Sequence, residues 1–123
     1  MARAAKVIGP DQFRAMVEAE FPGTLAKAAK VYGGGILHIE MSTFGRTTRE
    51  AIDSGKLWLA ERHFRFIADI WPRADPELEN AIDVSYVEEL ALSKATPQRH
   101  AAIRERMPPQ LRAKLIEIHE QWK

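Results

Sequence analysis

The stretch from Asp75 to Leu92, DPELENAIDVSYVEELAL, constrains the fold more than any other part of this chain. It carries six acidic residues and no Lys or Arg. It also carries Leu78, Ala81, Ile82, Val84, Tyr86, Val87, Leu90, Ala91 and Leu92. A surface helix shows an apolar stripe on one side, and a helix that is apolar all round is packed on most sides. Projected as a regular helix, Glu79 and Asp83 share one side with Tyr86 and Leu90. Glu77 and Glu88 lie roughly opposite, beside Ala81 and Val84, and Glu89 points a third way. The stretch therefore reads as a core helix around which the remaining helices must pack. Carboxylates are rarely buried without a partner, so some are expected to meet bases of the segment after Ser93, where seven basic residues face three acidic ones. If an acidic docking face exists, Glu79 and Asp83 are its expected members.

The rest of the chain supplies those helices. Residues 1 to 9 read as a flexible arm and residues 10 to 123 as a single helical domain. Pro10 and Asp11 open a helix in which Phe13, Met16, Val17 and Phe21 recur at helical spacing until Pro22-Gly23 stops it. Thr24 can cap a short second helix, which ends at Gly33-Gly34-Gly35. Three glycines can cradle a phosphate, but no strand precedes them and no Lys-Ser or Lys-Thr follows, so they read as a connector. A third helix is expected from Ile36 to about Ser54, with Gly55 as its left-handed cap. Its apolar arc is Leu37, Met41, Phe44, Thr48, Ala51 and Ile52, interrupted by Gly45.

A fourth helix is expected from Lys56 to Trp71, ending at Pro72. Its apolar arc spans about half the circumference and includes His63, which reads as a hydrogen-bonded core histidine. Trp58 projects instead to the charged side with Arg62 and Arg65. Trp58 and Arg62, one turn apart, can form a cation–π pair, and exposed Trp with Arg is the composition of an interface hot spot. Cover by the N-terminal segment is the plainer alternative for Trp58. Beyond Leu92, Thr96-Pro97 caps a short helix and Pro108-Pro109 breaks it. A last helix, Gln110 to Trp122, aligns Leu111, Leu115, Ile118 and Trp122 in a narrow seam. No useful period-2 alternation occurs. The expectation is an all-α, single compact domain of six to seven helices in antiparallel hairpins, with HEAT-like stacking open for Ile36 to Leu92.

Composition narrows the function classes. A net charge of +1 over 123 residues gives no global field for nucleic acid. The absence of cysteine removes thiolate chemistry and fits a reducing, cytoplasmic setting. No apolar run suits a signal peptide or a membrane span. The four histidines, His38, His63, His100 and His119, lack the i, i+4 spacing of a one-helix metal clamp. His38-Ile39-Glu40 matches H-x-E, but zinc deaminase chemistry needs cysteines the chain lacks. Ser42, Ser54, Ser85 and Ser93 have no nucleophile-elbow context, and Ser85 is expected to bond back to a carbonyl of its own helix. Arg46, Arg49, Arg62 and Arg65 form a candidate basic patch, but each is matched by an acid, which argues against nucleic acid. No catalytic residue, metal ligand or cofactor is assigned.

The residues NAIDVSYVEEL, Asn80 to Leu90, resemble the central-helix pattern Asn-x-apolar-x-Val-Ser-aromatic-x-Glu-x-Leu of small bacterial all-α proteins, some of them suspected immunity proteins of toxin systems. The resemblance extends loosely through HIEM (His38 to Met41) and ADIWPRAD. It implies a cytoplasmic binder that neutralises a cognate toxin, with Asn80, Val84, Ser85 and Glu88 as signature positions. The expectation is therefore a non-enzymatic protein-binding module of the immunity type, with Trp58, Arg62, Arg65, Glu79 and Asp83 as candidate partner-binding residues. Two other readings stay open: a helical regulator or scaffold binding a host protein or nucleic acid, and a small enzyme built on facing carboxylates.

Overall fold

The computed structural model describes residues 7–32, 35–118 and 122. Seven helices lie among the described residues: α1 (Pro10–Glu20), α2 (Ala26–Tyr32), α3 (Leu37–Asp53), α4 (Leu57–Ile70), α5, α6 (Pro97–Arg104) and α7 (Pro109–Ile118). Helix α5 is composite. It begins as an α-helix (Pro76–Ala81), passes through a π turn (Ile82–Tyr86) and resumes as an α-helix (Val87–Ala91). A 3₁₀ turn, Trp71–Arg73, separates α4 from α5. Glycines Gly33 and Gly34 of the expected connector lie outside the described residues.

Local chemistry sets the helix ends. Gln12 Oε1 accepts from the Gly9 N–H at 3.0 Å, and Pro10 occupies the first position of α1. The Asp75 carboxylate accepts from the Leu78 N–H at 2.8 Å, and Thr96 Oγ1 accepts from the Arg99 N–H at 3.1 Å. Each of these caps is followed by a proline whose missing N–H costs nothing in the first turn. Helix α3 ends at Gly55, at φ 83°. There the Lys56 N–H reaches back to the Ala51 carbonyl at 2.8 Å and the Gly55 N–H to Ile52 at 3.1 Å. This is the Schellman arrangement, which only a residue without Cβ adopts cheaply.

Helix α3 shares the centre with α5. It touches α2, α4, α5 and α6, while α5 also packs on α1 and α7. Phe13, Met41, Phe44, Ile52, Phe64, Ile67, Leu78, Ile82, Tyr86 and Leu90 are all fully buried in one cluster. Phe13, Phe21, Phe44, Phe66 and Tyr86 pack ring against ring at centroid distances of 5.5–6.3 Å. Such pairs contribute beyond their area burial, by about 0.5–1.5 kcal/mol each.

Gly45 does not interrupt α3, as its place in the sequence suggested. A Cβ there would lie 2.9 Å from Glu89 Cβ and 3.2 Å from the Tyr86 carbonyl oxygen. The missing side chain lets α3 and α5 approach backbone to backbone.

Three expectations are corrected. The arm was drawn through residue 9, but Ile8 is buried and forms a parallel bridge with Ala74. Its N–H donates to the Arg73 carbonyl at 2.7 Å and its carbonyl accepts from the Asp75 N–H at 2.8 Å. Residues 1 to 6 lie outside the described residues. Ile118 leaves the seam of α7 and is 48% exposed, whereas Leu111, Leu115 and Trp122 are buried. One acid of α5 does meet a C-terminal base, as expected: Asp83 reaches Lys114 at 3.3 Å, while Glu89 turns to Arg49 of α3 at 3.2 Å. Ser85 bonds to His38 Nδ1 at 2.7 Å across to α3.

Candidate functional site

Two sets of buried polar groups join helices among the described residues. In the first, Thr48 Oγ1 of α3 lies 2.6 Å from His63 Nδ1 of α4 and accepts from the Tyr86 hydroxyl of α5 at 3.0 Å. His63 stacks on Phe44 with centroids 4.5 Å apart and meets Phe21 at 4.4 Å. Burial, with the neighbouring Arg62 charge, lowers its pKa to about 4. Burial likewise pushes the Tyr86 phenol up, against the bond to Thr48. His63 is the core histidine that the sequence suggested, neutral at pH 7.

The second set was not legible in the sequence. Ser93 Oγ donates to Asp53 Oδ1 at 2.5 Å and lies 2.9 Å from His100 Nε2, while His100 stacks on Trp122 at 4.3 Å. Arg99 of α6 donates to the Asp53 carbonyl at 2.6 Å and covers the end of α3. A serine, a histidine and an aspartate within bonding distance invite comparison with a hydrolytic triad. In a triad the acid orients the histidine and the histidine takes the serine proton. Here the carboxylate holds the serine itself, and Ser93 and His100 are both buried. The arrangement fixes the α5–α6 connection to the end of α3. Desolvation lowers the His100 pKa, with Asp53 opposing and Arg104 assisting. Among the described residues no group of three His, Asp or Glu side chains is placed to hold a metal ion.

The candidate partner-binding residues lie on the outer surface. Trp58 projects from α4 with 63% of its surface exposed. Arg62 does not stack on it: its guanidinium sits 5.1 Å from the Phe21 ring centroid and reaches the Glu20 carbonyl at 3.5 Å. Arg65 is exposed and pairs with Glu61 at 3.4 Å. Beside it, Met16, Ala19, Glu20, Arg65, Phe66 and Asp69 line a groove of about 610 Å³ between α1 and α4. Met16 also lines a neighbouring hollow of about 490 Å³ with Val7, Ile8, Gln12, Ala15 and Arg73. The arginines of α3 and those of α4 have separate partners. Arg46 lies 4.0 Å and Arg49 3.2 Å from Glu89, away from the partners of Arg62 and Arg65.

Glu79 and Asp83 line a separate hollow of about 230 Å³ with Trp71, Pro76, Asn80, Gln110 and Lys114. Among the described residues, Arg65 of α4 and the α5 pair thus line different hollows. Tyr86 and Leu90, drawn beside Glu79 and Asp83 in the helical projection, are fully buried. The π turn is the cause. A cleft of about 290 Å³ was also missed: Ser42 of α3, Ser85, Glu88, Glu89, Ala91 and Leu92 of α5, and Ile118 of α7 line it.

Residues 14–123 match the family model described as a domain of unknown function (DUF7674). The chain belongs to the DUF7674 family. No curated protein and no solved structure matches it. The DUF7674 match begins within α1, at the arginine that bonds Glu40 of α3 at 2.7 Å, and covers every helix after it. It reaches well beyond the central pattern Asn80 to Leu90 and assigns no activity. No helix among the described residues is long and apolar enough to cross a membrane.

Proposed function

We propose that this DUF7674 domain is a protein-binding module with no reaction of its own, and that it docks its partner on the outer face of α4 and the adjoining groove against α1. The observation that carries the reading is Trp58, a tryptophan 63% exposed on the helix that also supplies groove-lining Arg65. Tryptophan and arginine are enriched among interface hot spots, where large side chains fill desolvated pockets. The groove beside them offers Met16, Ala19 and Phe66 to an apolar anchor. Meanwhile the interior His, Tyr, Thr and Ser side chains are engaged in inter-helix bonds, which supports binding over catalysis.

The specific form we favour is an immunity-type protein acting in the cytoplasm on a cognate toxin. A chain without cysteines suits that compartment, and the resemblance of Asn80 to Leu90 to suspected immunity proteins motivates the partner class. Co-expression with the product of the adjacent gene tests it. The expected result is rescue of growth and a stable complex. Trp58→Ala weakens that complex about thirtyfold, equivalent to about 2 kcal/mol, while unfolding midpoints stay within about 0.5 kcal/mol of the parent. No rescue and no complex would sink the toxin reading. Rescue untouched by Trp58→Ala and by Arg65→Glu would move the docking face elsewhere.

A further inference from the structure

A second surface lies on α5. Within the π turn Val84 is 39% exposed, four residues before exposed Glu88, which in turn lies four residues before Leu92, 56% exposed. Residues four apart share a helix face, so these three form one stripe, aliphatic–acid–aliphatic, about 12 Å long at 1.5 Å per residue. Ile118 of α7 stands beside its far end, across the cleft that Leu92 and Glu88 line. Ser42 and Ser85, the latter bonded to exposed His38 at 2.7 Å, also line this mainly apolar cleft.

The charges around the stripe are unequal. Glu89 is matched, by Arg49 at 3.2 Å and Arg46 at 4.0 Å. Asp83, on the preceding turn, is matched by Lys114 at 3.3 Å. Glu88 makes no ion pair among the described residues. A carboxylate held between two exposed aliphatic side chains is complementary to a cation held between two others. A second copy of this chain does not satisfy it. A two-fold axis through the centre of the stripe sets the central residue against its own symmetry mate, which places Glu88 on Glu88.

We infer that the stripe Val84–Glu88–Leu92, with Ile118 and the adjoining cleft, docks an amphipathic helix of a different protein, one presenting a lysine or arginine flanked one turn away on each side by aliphatic residues. Helix-in-groove recognition reads anchors at one-turn spacing, and the cation supplies orientation and partner choice more than raw affinity. This surface is distinct from the Trp58 groove, and the inference does not depend on that groove being used.

The test uses the full chain and two synthetic helical peptides, one with Leu-x₃-Lys-x₃-Leu on its exposed face and one with Leu-x₃-Glu-x₃-Leu. Amide chemical shifts locate binding and fluorescence anisotropy measures it. The lysine peptide is expected to perturb Val84, Glu88, Leu92 and Ile118 and to bind about tenfold tighter than the glutamate peptide at low salt, a gap that narrows as salt rises. Glu88→Lys reverses the preference while leaving the amide spectrum dispersed, and Trp58→Ala leaves it unchanged. Equal affinity for the two peptides, no binding of either, shifts confined to the α1–α4 groove, or an unreversed preference in Glu88→Lys would each overturn the proposal.

Discussion

Helices α4 and α5 both bury broad apolar faces, but they do so by different geometry. Helix α4 keeps one phase throughout: Ala60, His63, Phe64, Ile67 and Ile70 are buried at regular one-turn spacing, and Trp58, Arg62 and Arg65 stay outside. Helix α5 changes phase midway. Leu78, Ile82, Tyr86 and Leu90 are spaced by four, so on a regular helix they would drift through about 120°. The π turn over Ile82–Tyr86 contains one residue more than an α turn and resets that drift by about 100°. All four side chains are therefore fully buried, and Val84 is the residue put outside. One extra residue in α5 thus keeps the inner face continuous along the whole helix.

If both helices face one close-packed core, truncation should be costly on either side of the π turn. Phe64→Ala in α4 is expected to cost about 3–5 kcal/mol and Leu90→Ala in the second half of α5 about 2–5 kcal/mol, measured by denaturant unfolding. A Leu90→Ala loss below about 0.5 kcal/mol would place that residue at the surface and break the comparison.

The next effect comes from His63, where α4 meets α3 and α5. Its folded pKa is about 4, against an ordinary value of 6.5. Above pH 6.5 the imidazole is neutral in both states and its contribution is fully present. As pH falls from 6.5 towards 4, the unfolded chain takes up a proton that the folded chain refuses, so stability is lost. The loss is about 3 kcal/mol over that window at 1.36 kcal/mol per unit. In His63→Gln this component of the pH dependence should disappear; an unchanged acid limb would assign it to other groups.

A smaller effect tests the α3–α5 contact. Gly45→Ala should raise helix propensity by up to about 1 kcal/mol. The new Cβ meets Glu89 Cβ at 2.9 Å and the backbone of Tyr86, and forcing that contact apart costs about 1–3 kcal/mol. The expected net result is destabilisation of about 1 kcal/mol by thermal unfolding; a stabilised variant would mean that α5 yields easily there.

These differences explain what could be read from residues alone. The all-α class, the Gly55 and Thr96 caps, the buried His63 and the exposed Trp58 follow from periodicity and capping chemistry, which are local. The π turn does not, because a regular projection assigns Tyr86 and Leu90 to the acid side and gives no sign that a residue has been inserted. Nor do contacts between distant parts of the chain: Arg62 over Phe21, Ile8 beside Ala74, or Asp53 with Ser93 and His100. Gly45 looked like a weakness in α3 because its reason for being glycine sits forty residues away, on α5. The candidate α4 surface was thus visible in advance; on α5 the regular projection sets Val84 beside Glu88 but does not show that this side faces out.

The most direct measurement is a pair of single-residue deletions followed by thermal unfolding and amide spectra. Deleting Val84 turns the π turn into an α turn and returns Tyr86 and Leu90 to the same inward direction. Deleting Arg65 rotates everything beyond it in α4 by about 100°, moving Ile67 and Ile70 off the core. The structure predicts that the Val84 deletion folds with a dispersed spectrum and a melting point lowered by only a few degrees, while the Arg65 deletion does not fold. Equal loss of structure in the two deletions would contradict the claim that the π turn holds a single absorbed residue.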